Sequence, residues 1–155
     1  GYAMHEKNQV INTLLVDLFN DILSIEGSAL RTAGFEDLTM IEFHVLEAIG
    51  PGDGKTMSET AAKLGVTIGT LTTSVNRLIS KGVVKRSKTN RDRRLVLVSL
   101  TERGEAAHRH HEEFHREMIH SIEEALHPEE NEVLISALQE IQKFFSDKAG
   151  EYRKA

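Results

Sequence analysis

VTIGTLTTSVNRLISKGVVKRSKTNRDRRLVLVSLTERG, residues 66–104, contains a helix, a hairpin and the start of a second helix. Thr67 is placed to cap IGTLTTSVNRLIS, which Gly82 ends. On a wheel of 3.6 residues per turn, Leu71, Val75, Leu78 and Ile79 share one face. Gly69, Thr70, Thr73, Asn76, Arg77 and Ser80 lie opposite, with Thr72 and Ser74 on the flanks. VVKRSK (83–88) and LVLVSL (95–100) are β-branched, strand-like runs on either side of the charged TNRDRR, which predicts a hairpin with a basic tip.

Immediately upstream, TMSETAAKLGV (56–66) reads as a short helix with Ser58 as N-cap, Ala61, Ala62 and Leu64 facing inward, and Gly65 as its end. Two short helices joined through a glycine-containing turn outline a helix-turn-helix. With the hairpin added, the plan is a winged helix-turn-helix. Further out, LTMIEFHVLEAIG (38–50) is a helix capped by Thr39, with Glu42 three residues on, and stopped at Gly50-Pro51 before a PGDGK turn. Residues 8–30 form a long helix whose Ile11, Leu15, Leu18, Ile22 and Ile25 recur at helical spacing, and Gly34 closes it. From Thr101 a helix of about seven turns carries Ala107, Phe114, Met118, Ile122 and Leu126 near one face. His127-Pro128 breaks it, and a last helix shows a stripe of Leu134, Leu138, Ile141 and Phe145. The expected architecture is mainly α with a small β-hairpin wing. Residues 35–104 make the helix-turn-helix lobe, and 5–34 with 105–150 make a helical dimerisation region.

A chain of 155 residues with 39% hydrophobic content suits one domain. The absence of cysteine excludes disulfides, thiolate metal sites and a cysteine nucleophile, and fits a reducing cytoplasm. No apolar run approaches the ~18 residues of a membrane helix. The N-terminus lacks the charged-then-apolar pattern of a signal peptide, so a cytoplasmic location without membrane association is expected.

The net charge of −5 conceals its distribution. Residues 76–103 hold nine Lys/Arg (Arg77, Lys81, Lys85, Arg86, Lys88, Arg91, Arg93, Arg94, Arg103) against Asp92 and Glu102, a net of +7, leaving −12 on the rest. A solvated basic loop is one account; a polyanion-binding edge on an otherwise anionic protein is the other. The helix beside it decides between them. Its outer face is small, hydroxylated and amide-bearing, with one cation and no acid, where an ordinary surface helix shows Glu and Lys. Thr70, Thr72, Thr73, Ser74 and Asn76 can approach and hydrogen-bond base edges, and Arg77 can neutralise a phosphate. Lys88, Arg91 and Arg93 fall beside the flanking phosphates, while Arg94 suits the narrow minor groove, held by a bidentate pair with Asp92. The reading is a double-stranded DNA binder.

The run from Val66 to Gly104 resembles the core of the MarR family of bacterial transcription regulators, through the wing's D-x-R (Asp92, Arg94) and the L-T-x-x-G at Leu100, Thr101 and Gly104. The resemblance extends over nearly the whole chain. It implies a homodimeric regulator rather than an enzyme, with the first and last helices packed on the partner and two recognition helices in successive major grooves of a pseudo-palindrome. V-T-x-G-T-x-T-T-S at 66–74, the D-R-R wing and H-R-x-H-x-x-F-H at 108–115 are similar to the repressors of fatty-acid synthesis genes in Gram-positive bacteria. That branch implies a corepressor: a long-chain acyl group on acyl carrier protein.

Five of eight histidines, His108, His110, His111, His115 and His120, crowd into thirteen residues. HEEFH at 111–115 satisfies the H-E-x-x-H of zinc peptidases, but no third ligand follows and the fold needs this helix as its spine. Some MarR-like regulators bind zinc through their first, second and fifth helices. Glu26, His44 and His108 match those places, and Glu112 stands one turn beyond His108, which makes a zinc-responsive regulator the alternative. In either case the effector cavity is expected between helices one, two and five.

Overall fold

The computed structural model describes residues 2–88 and 95–154. The elements run α1 (Tyr2–Thr32), α2 (Met40–Ile49), β1 (Lys55–Thr56), α3 (Met57–Leu64), α4 (Ile68–Ser80), β2 (Val84–Lys88), β3 (Val96–Leu100), α5 (Glu102–Ala125) and α6 (Pro128–Lys154). The fold is the expected mainly helical winged helix-turn-helix. Contacts divide it into two units, one ending at Phe114 and the other starting at His115.

In the first unit, α2 starts with the predicted capping box. Thr39 Oγ1 accepts from the Glu42 N–H at 3.2 Å, and Glu42 Oε1 accepts from the Thr39 N–H at 3.0 Å. α3 starts with a second box on Thr56 and Glu59, not on Ser58. The reason is the spacing: Thr56 has a glutamate three residues on, whereas Ser58 has Ala61. Starting the helix there also moves its inner face. Met57, Thr60, Ala61 and Leu64 turn inward and Ala62 is exposed, contrary to expectation. Buried Thr60 satisfies its hydroxyl on Thr56 O at 2.9 Å. α4 is capped by Thr67 as predicted, and Leu71, Val75 and Leu78 are buried beside Phe43, Leu46, Ile49, Val83 and Val98.

The sheet has strand order β1-β3-β2 and is antiparallel throughout. β2 and β3 are the expected hairpin, with Val84 opposite Leu100, Arg86 opposite Val98 and Lys88 opposite Val96. β1 is an addition to the sequence expectation, which puts Lys55 in the PGDGK turn and Thr56 in the following helix. It pairs because Gly54 lets the backbone come close: a Cβ there would stand 2.9 Å from Val98 O. Lys55 then donates to Ala48 O at 3.0 Å, tying β1 to the end of α2.

Leu100-Thr101-x-x-Gly104 joins the wing to α5. The Thr101 hydroxyl donates to Gly82 O at 2.6 Å and accepts from the Gly104 N–H at 3.1 Å, and the Thr101 N–H donates to Val83 O at 3.0 Å. From there Gly104, Ala107, His108 and His111 bury one face of α5.

Along α1, Ile11, Leu15, Leu18 and Ile25 of the predicted stripe are exposed, as are Val10, Leu14, Phe19 and Leu23. In the second unit, α6 exposes Val133, Ile135, Leu138, Ile141, Phe144 and Phe145. Full burial of each such side chain would contribute ~1.5–3 kcal/mol.

Candidate nucleic-acid interface

The candidate interface lies on α4 and β2. Thr70, Thr73, Asn76 and Arg77 are exposed on α4, and Thr72 and Ser74 are half-buried on its flanks, as the wheel placed them. Their hydrogen bonds set what each can offer a base. Thr72 Oγ1 donates to Ile68 O at 2.8 Å and Thr73 Oγ1 to Gly69 O at 3.4 Å, which leaves each oxygen's lone pairs facing outward as acceptors. Thr70 Oγ1 lies 3.0 Å from Thr67 Oγ1, a hydroxyl pair in which either oxygen can donate. The face therefore mixes donors and acceptors, as base-edge readout requires.

The cations of the basic segment divide into two groups. Arg77, Lys85, Arg86 and Lys88 are exposed on α4 and β2. Arg86 Nη2 donates to Asn76 Oδ1 at 2.6 Å, joining strand to helix. Lys81 and Arg103 turn inward instead. Lys81 Nζ donates to Asp37 O at 2.6 Å and to Glu42 Oε1 at 2.7 Å. Arg103 grips both Asp37 oxygens at 2.7 and 3.2 Å, donates to Lys81 O at 2.7 Å and lies over the Phe35 ring. The Arg103 hydrogen bond holds the Asp37 carboxyl below its ordinary value of 3.8. At Glu42 burial pushes upward, but hydrogen bonds from Lys81 and Thr39 outweigh it and the carboxyl sits below its ordinary 4.5. Arg91, Asp92, Arg93 and Arg94 lie outside the described residues.

The residues proposed for an effector fall into two pairs. Glu26 is buried on α1, with Oε1 2.5 Å from His111 Nε2, while His111 Nδ1 lies against Glu47 Oε1. The His111 ring also packs on Phe43. His108, buried, has Nε2 3.8 Å from exposed Glu112 one turn on. His44 is exposed. Among the described residues, Glu26, His44, His108 and Glu112 do not converge as one set of ligand atoms. The histidine that meets Glu26 is His111, a member of both HEEFH and the H-R-x-H-x-x-F-H pattern. Its place was legible: Gly104, Ala107, His108 and His111 follow the i, i+3, i+4, i+7 rule of a buried stripe. Nearby, Gly27, Leu30, Arg31, Phe35, Leu38 and Met40 line a hollow of about 210 Å³, below the ~300–1,000 Å³ of ligand pockets in general.

Residues 38–96 match the MarR family model. The structure is similar to FabT of Streptococcus pneumoniae in complex with DNA, with 37% identity, a TM-score of 0.81, and coverage of 90% of this chain and 98% of that one. It is also similar to the C80S mutant of MarR from E. coli, at 28% identity and a TM-score of 0.57 over 83% of this chain and 93% of that one. In sequence it is 28% identical over 146 residues to YfiV, an uncharacterised HTH-type transcriptional regulator of Bacillus subtilis, covering 88% of this chain and 91% of the relative.

Proposed function

Because this chain belongs to the MarR family of transcriptional regulators, we propose that it is a homodimeric repressor of fatty-acid synthesis genes, with a long-chain acyl group on acyl carrier protein as corepressor. The observation that carries the DNA-binding part is the acid-free face of α4, its hydroxyl and amide groups exposed beside the cations of β2. The lobe over 35–104 meets the operator, and the helices over 5–34 and 105–150 dimerise through their exposed apolar side chains. Thr70, Thr72, Thr73, Ser74 and Asn76 read bases. Arg77, Lys88, Arg91 and Arg93 contact phosphates, and Arg94, oriented by Asp92, enters the minor groove. The dimer places two α4 helices on a pseudo-palindrome about one helical turn apart. The likeness to FabT supports the lipid branch.

An effector acts by binding one spacing of the two α4 helices better than another. Glu26, Glu47 and His111 join α1, α2 and α5 at one point, where a bound group would be felt by all three. The second reading, a zinc-responsive regulator, rests on the same place, since a buried carboxylate and imidazole are zinc-ligand types. Operator affinity measured with long-chain acyl-acyl carrier protein and, separately, with zinc separates the two. The lipid reading expects tighter binding with the acylated carrier and none of that gain with the bare carrier. A response to zinc alone overturns it.

A further inference from the structure

Arg86 was counted in the basic run as one more charge, but its geometry gives it another role. The β2–β3 register sets Arg86 opposite buried Val98, so its side chain leaves the sheet on the face that Val98 shares. On that side it reaches the exposed face of α4 and donates from Nη2 to Asn76 Oδ1 at 2.6 Å. A guanidinium has donors and no acceptor. The Asn76 amide is therefore fixed the one way round, with oxygen toward Arg86 and Nδ2 turned away. A charge-assisted bond is roughly twice as strong as a neutral one, which favours this orientation of the amide.

We propose that Arg86 is a specificity-positioning residue that acts through Asn76: it orients the amide so that Nδ2–H donates to an acceptor on a base edge in the major groove. Asn76 lies three residues beyond Thr73 and six beyond Thr70, on the same face. This rests on the reading of α4 as the recognition helix. The alternative role for an exposed wing cation is a phosphate contact, which carries no sequence information. Without Arg86 the amide is free to turn over, and a carbonyl acceptor competes with the amine donor for the same base pair.

The experiment is a binding-selection profile over randomised operator half-sites, with the full-length chain as wild type, Asn76→Ala, Arg86→Ala and the double variant. The expected result is a change in preference at one base pair per half-site, the same pair for both single variants. The double variant should be no worse than either alone. The loss at that pair is about 2- to 10-fold, the range of one net hydrogen bond. Arg86→Ala weakening all sequences alike, with base preference unchanged, makes Arg86 a phosphate contact and overturns the proposal. Unchanged preference in Asn76→Ala overturns it as well. A wild-type chain with no sequence preference is a different outcome: it removes the recognition-helix reading itself.

Discussion

Gly104 has no room for a side chain: a Cβ built there would stand 2.0 Å from Val83 O and 3.3 Å from Leu100 Cβ. The backbone of the wing's first residue crosses the first turn of α5 at this point, and backbone cannot step aside as a flexible side chain can. Gly104→Ala should destabilise the fold by roughly 1–3 kcal/mol or more, as overpacking does, measured by denaturant unfolding. A wild-type midpoint would contradict the account of the L-T-x-x-G motif. This motif was legible as a pattern but not as a contact. Its partners Gly82 and Val83 follow α4, and the approach of the two segments exists only once the hairpin has folded back. Thr39 with Glu42 was legible outright, since both halves of a capping box lie within four residues. Ser58 was misread because propensity ranks serine high at a helix start; Thr56, with Glu59 in reach, wins on two hydrogen bonds instead of one.

At the scale of elements, the group Asp37, Glu42, Lys81 and Arg103 joins the α1–α2 connection, α2, the end of α4 and the start of α5. From sequence, Lys81 and Arg103 looked like part of a DNA-facing charge run. Their partner Asp37 lies 44 and 66 residues away, and no local pattern announces it. The two cations instead tie the end of α4 to the α1–α2 connection, α2 and α5. Both carboxyls sit below their ordinary values of 3.8 and 4.5. The stabilisation they give is therefore complete above those values and is lost as pH falls through the lowered ones. Stability should decline on acidification below about pH 4.5. Arg103→Ala should cost roughly 1 kcal/mol at neutral pH, because the Asp37 pair is half-exposed and screened, and should flatten that acid decline. A variant with the wild-type pH profile would show that the Arg103–Asp37 pair contributes nothing. The stripe on α5 belongs to this scale too: Gly104, Ala107, His108 and His111 keep a readable helical period, but two of the four are imidazoles, which are intermediate in burial generally and mark an inner face less clearly than apolar residues do. Both imidazoles are buried here beside carboxylates, His111 against Glu26 and Glu47.

For the whole molecule, the net charge is −5, and the proposed function has this anionic chain meet a polyanion through one cationic face, repeated in a twofold dimer. The apolar stripes on α1 and α6 were visible in the sequence as stripes without an inner partner, and in the folded chain they remain exposed. The charge of the segment was visible too, but not its division between inward ties at Lys81 and Arg103 and outward groups at Arg77 and Lys88. On the proposed contacts of Arg77, Lys88, Arg91 and Arg93 with phosphates in each of two protomers, eight contacts give a slope of about −7 for log K against log salt. The salt dependence of binding to an operator duplex is thus the most direct measurement: a slope near −7 is predicted, and a flat dependence would contradict the account.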